Sequence, residues 1–276
     1  HAYVQAFPTE RRAFEAYAAT FPERTTFLVD TYDTLDGVDH AIAVIRHLGL
    51  VHNVGVRLDS GDLAGLARAT RDRLDAAGLP HVRIFASGGL DEHAIDELVR
   101  ADAPVDAVGV GTKVGVADDT PSLDTAYKLV SYEGRPVRKR SRGKATIPGA
   151  KQVWRRAAPA DDLIAGRDEA ADGAGDLAGA EPLLVPMVEG GRRVTERPTV
   201  TALRSRFETD LAALPATARA LRKPWPLTAR FSPGLLDLAE AADRAHDQAE
   251  RADRADLAAG DAAPAPEGRL SGGRGG

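Results

Sequence analysis

The chain has 276 residues, 43% of them hydrophobic, which is enough for one large α/β domain with appendages. Its formal net charge of −5 excludes a diffuse basic surface for non-specific nucleic-acid binding, so any anion site must be local. It has no cysteines, which rules out disulfides, thiolate metal sites and a cysteine nucleophile, and no apolar run reaches the roughly 20 residues of a membrane span.

The opening "HAYVQAFPTERR" has no basic region followed by an apolar core, so it does not read as a signal peptide, and it lacks an initiator methionine, as a fragment would. The first half then alternates two periods. "TTFLVDTYDT" (25–34) is a short β-branched and apolar run. "GVDHAIAVIRHLG" (37–49) places Val38, Ile42 and Ile45 on one helical stripe. "NVGVRLD" (53–59) reads as a strand, and "SGDLAGLARATRDRLDAAG" (60–78) as a helix with Ser60 as N-cap and Gly78 as its stop. "VRIFASGG" (82–89) is a strand, "LDEHAIDELVRADA" (90–103) a helix, and "DAVGVGTKVG" (106–115) a fourth strand. Strands alternating with helices of this length predict βα units around a parallel sheet.

After Lys128 the texture changes. "AYKLVSYEGRPVRKRS" (126–141) predicts a hairpin turning near Glu133-Gly134, "KQVWRR" (151–156) a strand, and "PLLVPMVEGGRRV" (182–194) a hairpin around Gly190-Gly191, with a loop-rich stretch between the last two. Residues 198–222 read as helical. The domain reading is therefore 1–128 for the βα part, 129–196 for a β-rich appendage, 197–240 for a C-terminal helical segment, and 241–276 for a low-complexity tail. That tail is expected to lack fixed structure, apart from a solvated helix in its Ala-, Asp- and Arg-rich part.

Ligands of parallel α/β folds bind beyond the carboxyl ends of the strands. Here those ends carry Asp30 and Asp33, then "RLDSGD" with Arg57 and Asp59, then "ASGG" with Ser87, Gly88 and Gly89, then "GVGT" with Gly111 and Thr112. Gly88 and Gly89 precede a helix, so their N–H groups can face an anion on its N-terminus. Each feature also has a plain reading as a cap, a turn or a paired structural acid, and only the combination describes a cleft for hydroxyls and phosphate. The basic stretch "RPVRKRSRGKATIPGAKQVWRR" (135–156) reads either as a solvated face or as a polyanion contact, with Trp154 stacking on a ligand or, as is commoner, packing. His40, His47 and His93 fall on helices and read as surface or satisfied core.

Together the motifs "HAYVQAF", "LVDTYDT", "GVRLDSGDL", "IFASGGLDE", "VGVGTKVG", "YKLV", "GRPVRK" and "GK-x-T-x-PG-x-KQVWR" resemble the nicotinate phosphoribosyltransferase family, in order and spacing, from residue 1 to about 240. The resemblance implies an α/β fold: an irregular β/α barrel of the type II phosphoribosyltransferase kind, incomplete here, with a β-rich appendage and C-terminal helices. It implies transfer of phosphoribose from phosphoribosyl pyrophosphate to nicotinate, coupled to ATP hydrolysis, in NAD salvage. It further implies Mg²⁺ on pyrophosphate oxygens with no protein metal ligand assigned, a cytoplasmic homodimer, and neither nucleic-acid nor membrane partners.

In that reading Arg57 faces an anionic group, and Asp59 faces ribose hydroxyls and developing positive charge. Ser87, Gly88, Gly89, Gly111 and Thr112 hold the 5′-phosphate through their backbone. Lys139 and Lys144 reach pyrophosphate, across the dimer in one version, and Asp30 or Asp33 lies near the ring or the metal. His1 matches the family's phosphoryl-accepting histidine, but nothing upstream of it is present. The expectation is thus an N-terminally truncated chain, with an open barrel, an unfixed His1 and no activity alone. The alternatives are a related nicotinamide or quinolinate phosphoribosyltransferase, or a non-catalytic fragment acting as a binding module.

Overall fold

The structure is a computed structural model and describes residues 1–116, 126–141, 143–155, 162–169, 179–220, 222–223, 225 and 227–261. The chain forms two compact units. The first comprises the described parts of 1–128, 139–145 and the chain from Asp243 onward; the second comprises 129–138 and 146–242.

In the first unit, helices α1 (Ala2–Ala6) and α2 (Glu10–Thr20) precede three βα repeats. These are β1 (Thr25–Leu28) and α3 (Thr34–Leu48), β2 (Val54–Leu58) and α4 (Leu63–Ala76), and β3 (Arg83–Ala86) and α5 (Glu92–Arg100); β4 (Ala107–Val108) and the short α6 (Thr112–Gly115) follow. The four strands form one parallel sheet in sequence order β1-β2-β3-β4. This confirms the βα reading of the first half. Among the described residues the sheet stays open and closes no barrel.

The strand sequences explain their position. Val54, Gly55, Val56 and Leu58 of β2 are all buried, as in a central strand covered on both faces, and Arg57 alone is exposed. They pack with Phe27, Val29 and Ile84 and with the α3 stripe Val38, Ala41, Ile42, Val44 and Ile45. Burying such side chains stabilises by roughly 1.5–3 kcal/mol each.

Several boundaries differ from expectation. The helix expected from Ser60 begins at Leu63, and Asp62 is its N-cap, accepting from Gly65 N at 3.1 Å. The strand expected over 106–115 pairs only at Ala107–Val108, because the glycine-rich "GVGT" leaves the ladder and turns into α6.

In the second unit, β5 (Ser131–Tyr132) and β6 (Arg135–Pro136) form the expected hairpin, with Glu133 and Gly134 both at positive φ (49° and 75°) as a tight hairpin turn requires. Strands β7 (Lys151–Arg155), β8 (Asp162–Gly166), β9 (Glu181–Pro182) and β12 (Ala229–Phe231) make a four-stranded sheet in the order β12-β8-β7-β9. Strand β8 falls in the stretch read as loop-rich; its "DLIAG" is short, but Leu163 and Ala165 are buried. The expected hairpin of β10 (Val188–Glu189) and β11 (Arg192–Arg193) is present. Helix α7 (Val200–Ala213) ends at Leu214, which is extended before Pro215.

Helix α8 runs Pro233–Asp261, well past residue 240. Its Ala-, Asp- and Arg-rich part is helical, as read, but not solvated throughout. Asp253 is 4% exposed and is clamped by Arg11 Nε at 2.6 Å and Arg12 Nε at 3.2 Å, while the His246 ring stacks on Tyr32 at 3.8 Å. The remainder of the expected tail, 262–276, lies outside the described residues. No described helix is long and apolar enough to cross a membrane.

Candidate functional site

The C-terminal ends of β1, β2 and β3 carry a dense polar cluster within the first unit. Arg57 and Asp59 are two apart at the end of β2, so they share one face of the strand. Arg57 Nη2 donates to Asp59 Oδ1 at 2.9 Å, and Arg57 Nε donates to Ser87 Oγ at 2.7 Å. The Ser87 hydroxyl in turn donates to Asp59 Oδ1 at 2.7 Å. Burial pushes the Asp59 carboxyl up, but Ser87, Lys144 and Arg57 together hold it below the usual carboxylate range.

One strand over, Asp30 is fully buried. Its Oδ2 accepts from the Ser60 hydroxyl and lies 3.5 Å from Lys139 Nζ, while its Oδ1 has no hydrogen-bond donor among the described residues. Lys139 is 1% exposed, and burial draws its ammonium pKa down, opposed by Asp30. Lys144 Nζ donates to the Asp59 carbonyl at 2.6 Å and lies 3.3 Å from Asp59 Oδ2.

His1 is not loose. Its Nδ1 lies 3.0 Å from Thr31 Oγ1, and its Nε2 lies 2.6 Å from Lys139 Nζ, 3.8 Å from Asp30 and 4.0 Å from Asp59. Lysine only donates, so Nε2 accepts from it and the ring proton belongs on Nδ1, facing Thr31. The lone pair of Nε2 therefore points into the acidic and cationic cluster. Oxygen and nitrogen atoms of His1, Asp30 and Asp59 all lie within 4.8 Å of one another, a spacing that suits a cation.

Beside this cluster is a cleft of about 570 Å³ lined by Arg57, Ser87, Gly88, Gly89, Gly111 and Thr112. Gly88 has φ +99°, and a Cβ there would sit 2.2 Å from the Asp59 carbonyl oxygen, so only glycine fits. The expected helix N-terminus is not open to an anion. Asp91 is the N-cap of α5, accepting from Ala94 N at 2.9 Å, so a carboxylate already sits on the helix dipole. An anion in the cleft must rely on loop N–H groups, Arg57 and Lys113, which also lines it.

The sequence-derived residues thus fall into one neighbourhood: His1, Asp30, Arg57, Asp59, Ser87, Lys139 and Lys144 in the cluster, and Gly88, Gly89, Gly111 and Thr112 in the adjoining cleft. Lys139 and Lys144 reach it within their own chain. Asp33 does not join it: its side chain caps α3, accepting from Leu35 N and Asp36 N at 3.0 Å each. The basic stretch is neither free-standing nor simply solvated. Lys139 faces Asp30, Arg140 faces Asp247 at 2.6 Å, Lys144 faces Asp59, and Arg155 faces Asp162 at 2.7 Å. Ser60 and Thr31 are cluster members that sequence reasoning missed; their position at strand ends beside Asp59 and Asp30 was the available signal.

The unit is thus an open parallel α/β domain with charged side chains and a glycine-lined cleft at its strand C-termini, the place where domains of this class bind small ligands. No family model matches the chain. Nicotinate phosphoribosyltransferase pncB2 of Mycobacterium tuberculosis is 48% identical over 223 residues, covering 80% of this chain and 47% of that protein. The Bacillus subtilis nicotinate phosphoribosyltransferase is 45% identical over 163 residues, 56% of this chain and 33% of that protein. The human enzyme of the same name is 32% identical over 249 residues, 79% of this chain and 46% of that protein. A crystal structure of human nicotinic acid phosphoribosyltransferase is 29% identical and aligns with a TM-score of 0.37, over 84% of this chain and 49% of that one. By sequence the chain belongs to the nicotinate phosphoribosyltransferase family, and it spans about half the length of the curated relatives it matches.

Proposed function

We propose that this chain supplies the phosphoribosyl site of a nicotinate phosphoribosyltransferase, joining nicotinate to phosphoribosyl pyrophosphate with release of pyrophosphate. The observation that carries the reading is the convergence of Arg57, Asp59, Asp30, Lys139 and Lys144 next to a glycine-lined cleft. As pyrophosphate leaves, negative charge grows on the leaving group and positive charge on the sugar. Arg57, Lys139 and Lys144 suit the first and Asp59 the second, all fixed in place before reaction. The 5′-phosphate is assigned to the cleft, against the backbone of Ser87, Gly88, Gly89, Gly111 and Thr112 and the Lys113 ammonium.

The ATP-coupled step is part of the same proposal. His1 presents Nε2 rather than Nδ1 to the cluster, so Nε2 is the nitrogen that takes a phosphoryl group. A Mg²⁺ ion fits the carboxylates of Asp30 and Asp59: Asp30 Oδ1 is a buried oxygen without a donor among the described residues, and oxygen ligands suit a hard cation. When bound, it would neutralise pyrophosphate charge. Closure of a type II barrel by further strands, pairing into a homodimer and a cytoplasmic setting also belong to the proposal, on the strength of the family resemblance.

The test is calorimetry of phosphoribosyl pyrophosphate with the chain and with Arg57→Ala and Asp59→Asn. Each substitution should weaken binding at least tenfold, about 1.4 kcal/mol. Unchanged affinity in both variants would remove the site from this loop. A panel of nicotinate, nicotinamide and quinolinate, each with and without ATP, then assigns the base.

A further inference from the structure

We propose that Ser87 is a positioning residue whose hydroxyl locks Arg57 to Asp59, so that the pair meets the phosphorylated sugar as one preorganised unit. This rests on the phosphoribosyl reading above and assigns Ser87 a side-chain role beyond lining the phosphate cleft.

A serine hydroxyl has one proton and two lone pairs. Here the proton goes to Asp59 Oδ1 at 2.7 Å, in preference to the Leu58 carbonyl at 3.4 Å, and a lone pair receives Arg57 Nε at 2.7 Å. With the direct Arg57–Asp59 contact of 2.9 Å, the three groups close a ring of hydrogen bonds across β2 and β3. The third member is the buried one. Ser87 is 4% exposed, whereas the Arg57 side chain is 46% exposed and would otherwise move among rotamers. Anchoring Nε fixes the plane of the guanidinium while leaving other N–H donors for an anion.

The backbone holds Ser87 where the ring needs it. Ser87 N donates to the Leu58 carbonyl at 2.9 Å, and the close approach of Gly88 to the Asp59 carbonyl pins the next residue.

The test reads two independent signals on the chain: solvent exchange of the Arg57 Nε proton by NMR, and the affinity for phosphoribosyl pyrophosphate by calorimetry. Ser87→Ala should speed that exchange severalfold and weaken affinity on the order of tenfold, as loss of a group that orients ligand-binding residues does. Ser87→Thr keeps the hydroxyl and should hold both near the unaltered values. A folded Ser87→Ala protein with unchanged exchange and affinity overturns the proposal. If the unaltered chain fails to bind phosphoribosyl pyrophosphate, the phosphoribosyl reading falls, while faster exchange of the Arg57 Nε proton in Ser87→Ala still supports the hydrogen-bonded ring.

Discussion

The ammonium of Lys139 lies 2.6 Å from Nε2 of His1, a contact between residues 138 positions apart. The same ammonium is 3.5 Å from Asp30, and both side chains are almost wholly buried. Removing one member of a buried ion pair leaves the other charge uncompensated. Lys139→Met should therefore cost about 3–5 kcal/mol of stability in urea unfolding. A cost under about 1 kcal/mol would match an exposed pair and contradict this burial.

Gly88→Ala tests the cleft wall. The new methyl meets a backbone oxygen at 2.2 Å, and φ of +99° is unfavourable for any side chain. Backbone strain of this kind costs about 1–3 kcal/mol before the clash is counted. The expected result is a lower melting temperature together with weakened ligand binding; a variant with unaltered melting would mean that the turn is not held as described.

Glu10 and His40 should together contribute a loss of stability as pH rises from acid to neutral. Burial pushes the Glu10 carboxyl up to about 7 from an ordinary 4.5. Burial opposes charge on His40, but Glu10, 3.1 Å from its Nδ1, and Glu250 outweigh it and raise its pKa. A raised folded-state pKa contributes stability that is present below the unfolded value and lost as pH climbs through the folded one. For Glu10 the window runs from 4.5 to about 7, and for His40 it lies above 6.5. One proton's difference gives a slope of up to about 1.4 kcal/mol per pH unit. Urea unfolding at pH 5 and pH 8 should show Glu10→Gln losing less stability between the two than the unaltered chain does, against the opposing lowered values of His246 and of the His1 amino group. An identical change in the two proteins would rule Glu10 out as a source.

Asp253 fastens the last turns of α8. It accepts from Arg11 Nε at 2.6 Å, from Arg11 Nη2 at 2.5 Å and from Arg12 Nε at 3.2 Å. Asp253→Ala should cost about 1.5–3 kcal/mol, the range for hydrogen bonds to charged groups. Hydrogen exchange should then quicken in α8 from Asp243 onward; unchanged protection would show that the helix is held by other contacts.

The strand ends were legible because period and punctuation mark them. A run such as "VGVRLD" passes from apolar to charged within one strand, and "ASGG" and "GVGT" announce turns. The same local signal misled at Ser60, a good capping residue that instead bonds Asp30, leaving Asp62 to cap the helix. Strand β8 was missed because two buried residues in five carry too little periodicity. The long α8 was underestimated because an Ala, Asp and Arg composition reads as solvated until its partners Arg11, Arg12 and Tyr32 are known.

Composition, periodicity and motif order alone determined the parallel βα arrangement, the candidate residues and the family, since all of these are written in local spacing. Which charge faces which was decided only by tertiary structure. Lys139 meets Asp30, Lys144 meets Asp59 and Asp253 meets Arg11 across 85 to 242 positions of chain. Pairing over such distances depends on how strands and helices stack, and burial then sets how strongly each pair interacts, so no local pattern can encode it.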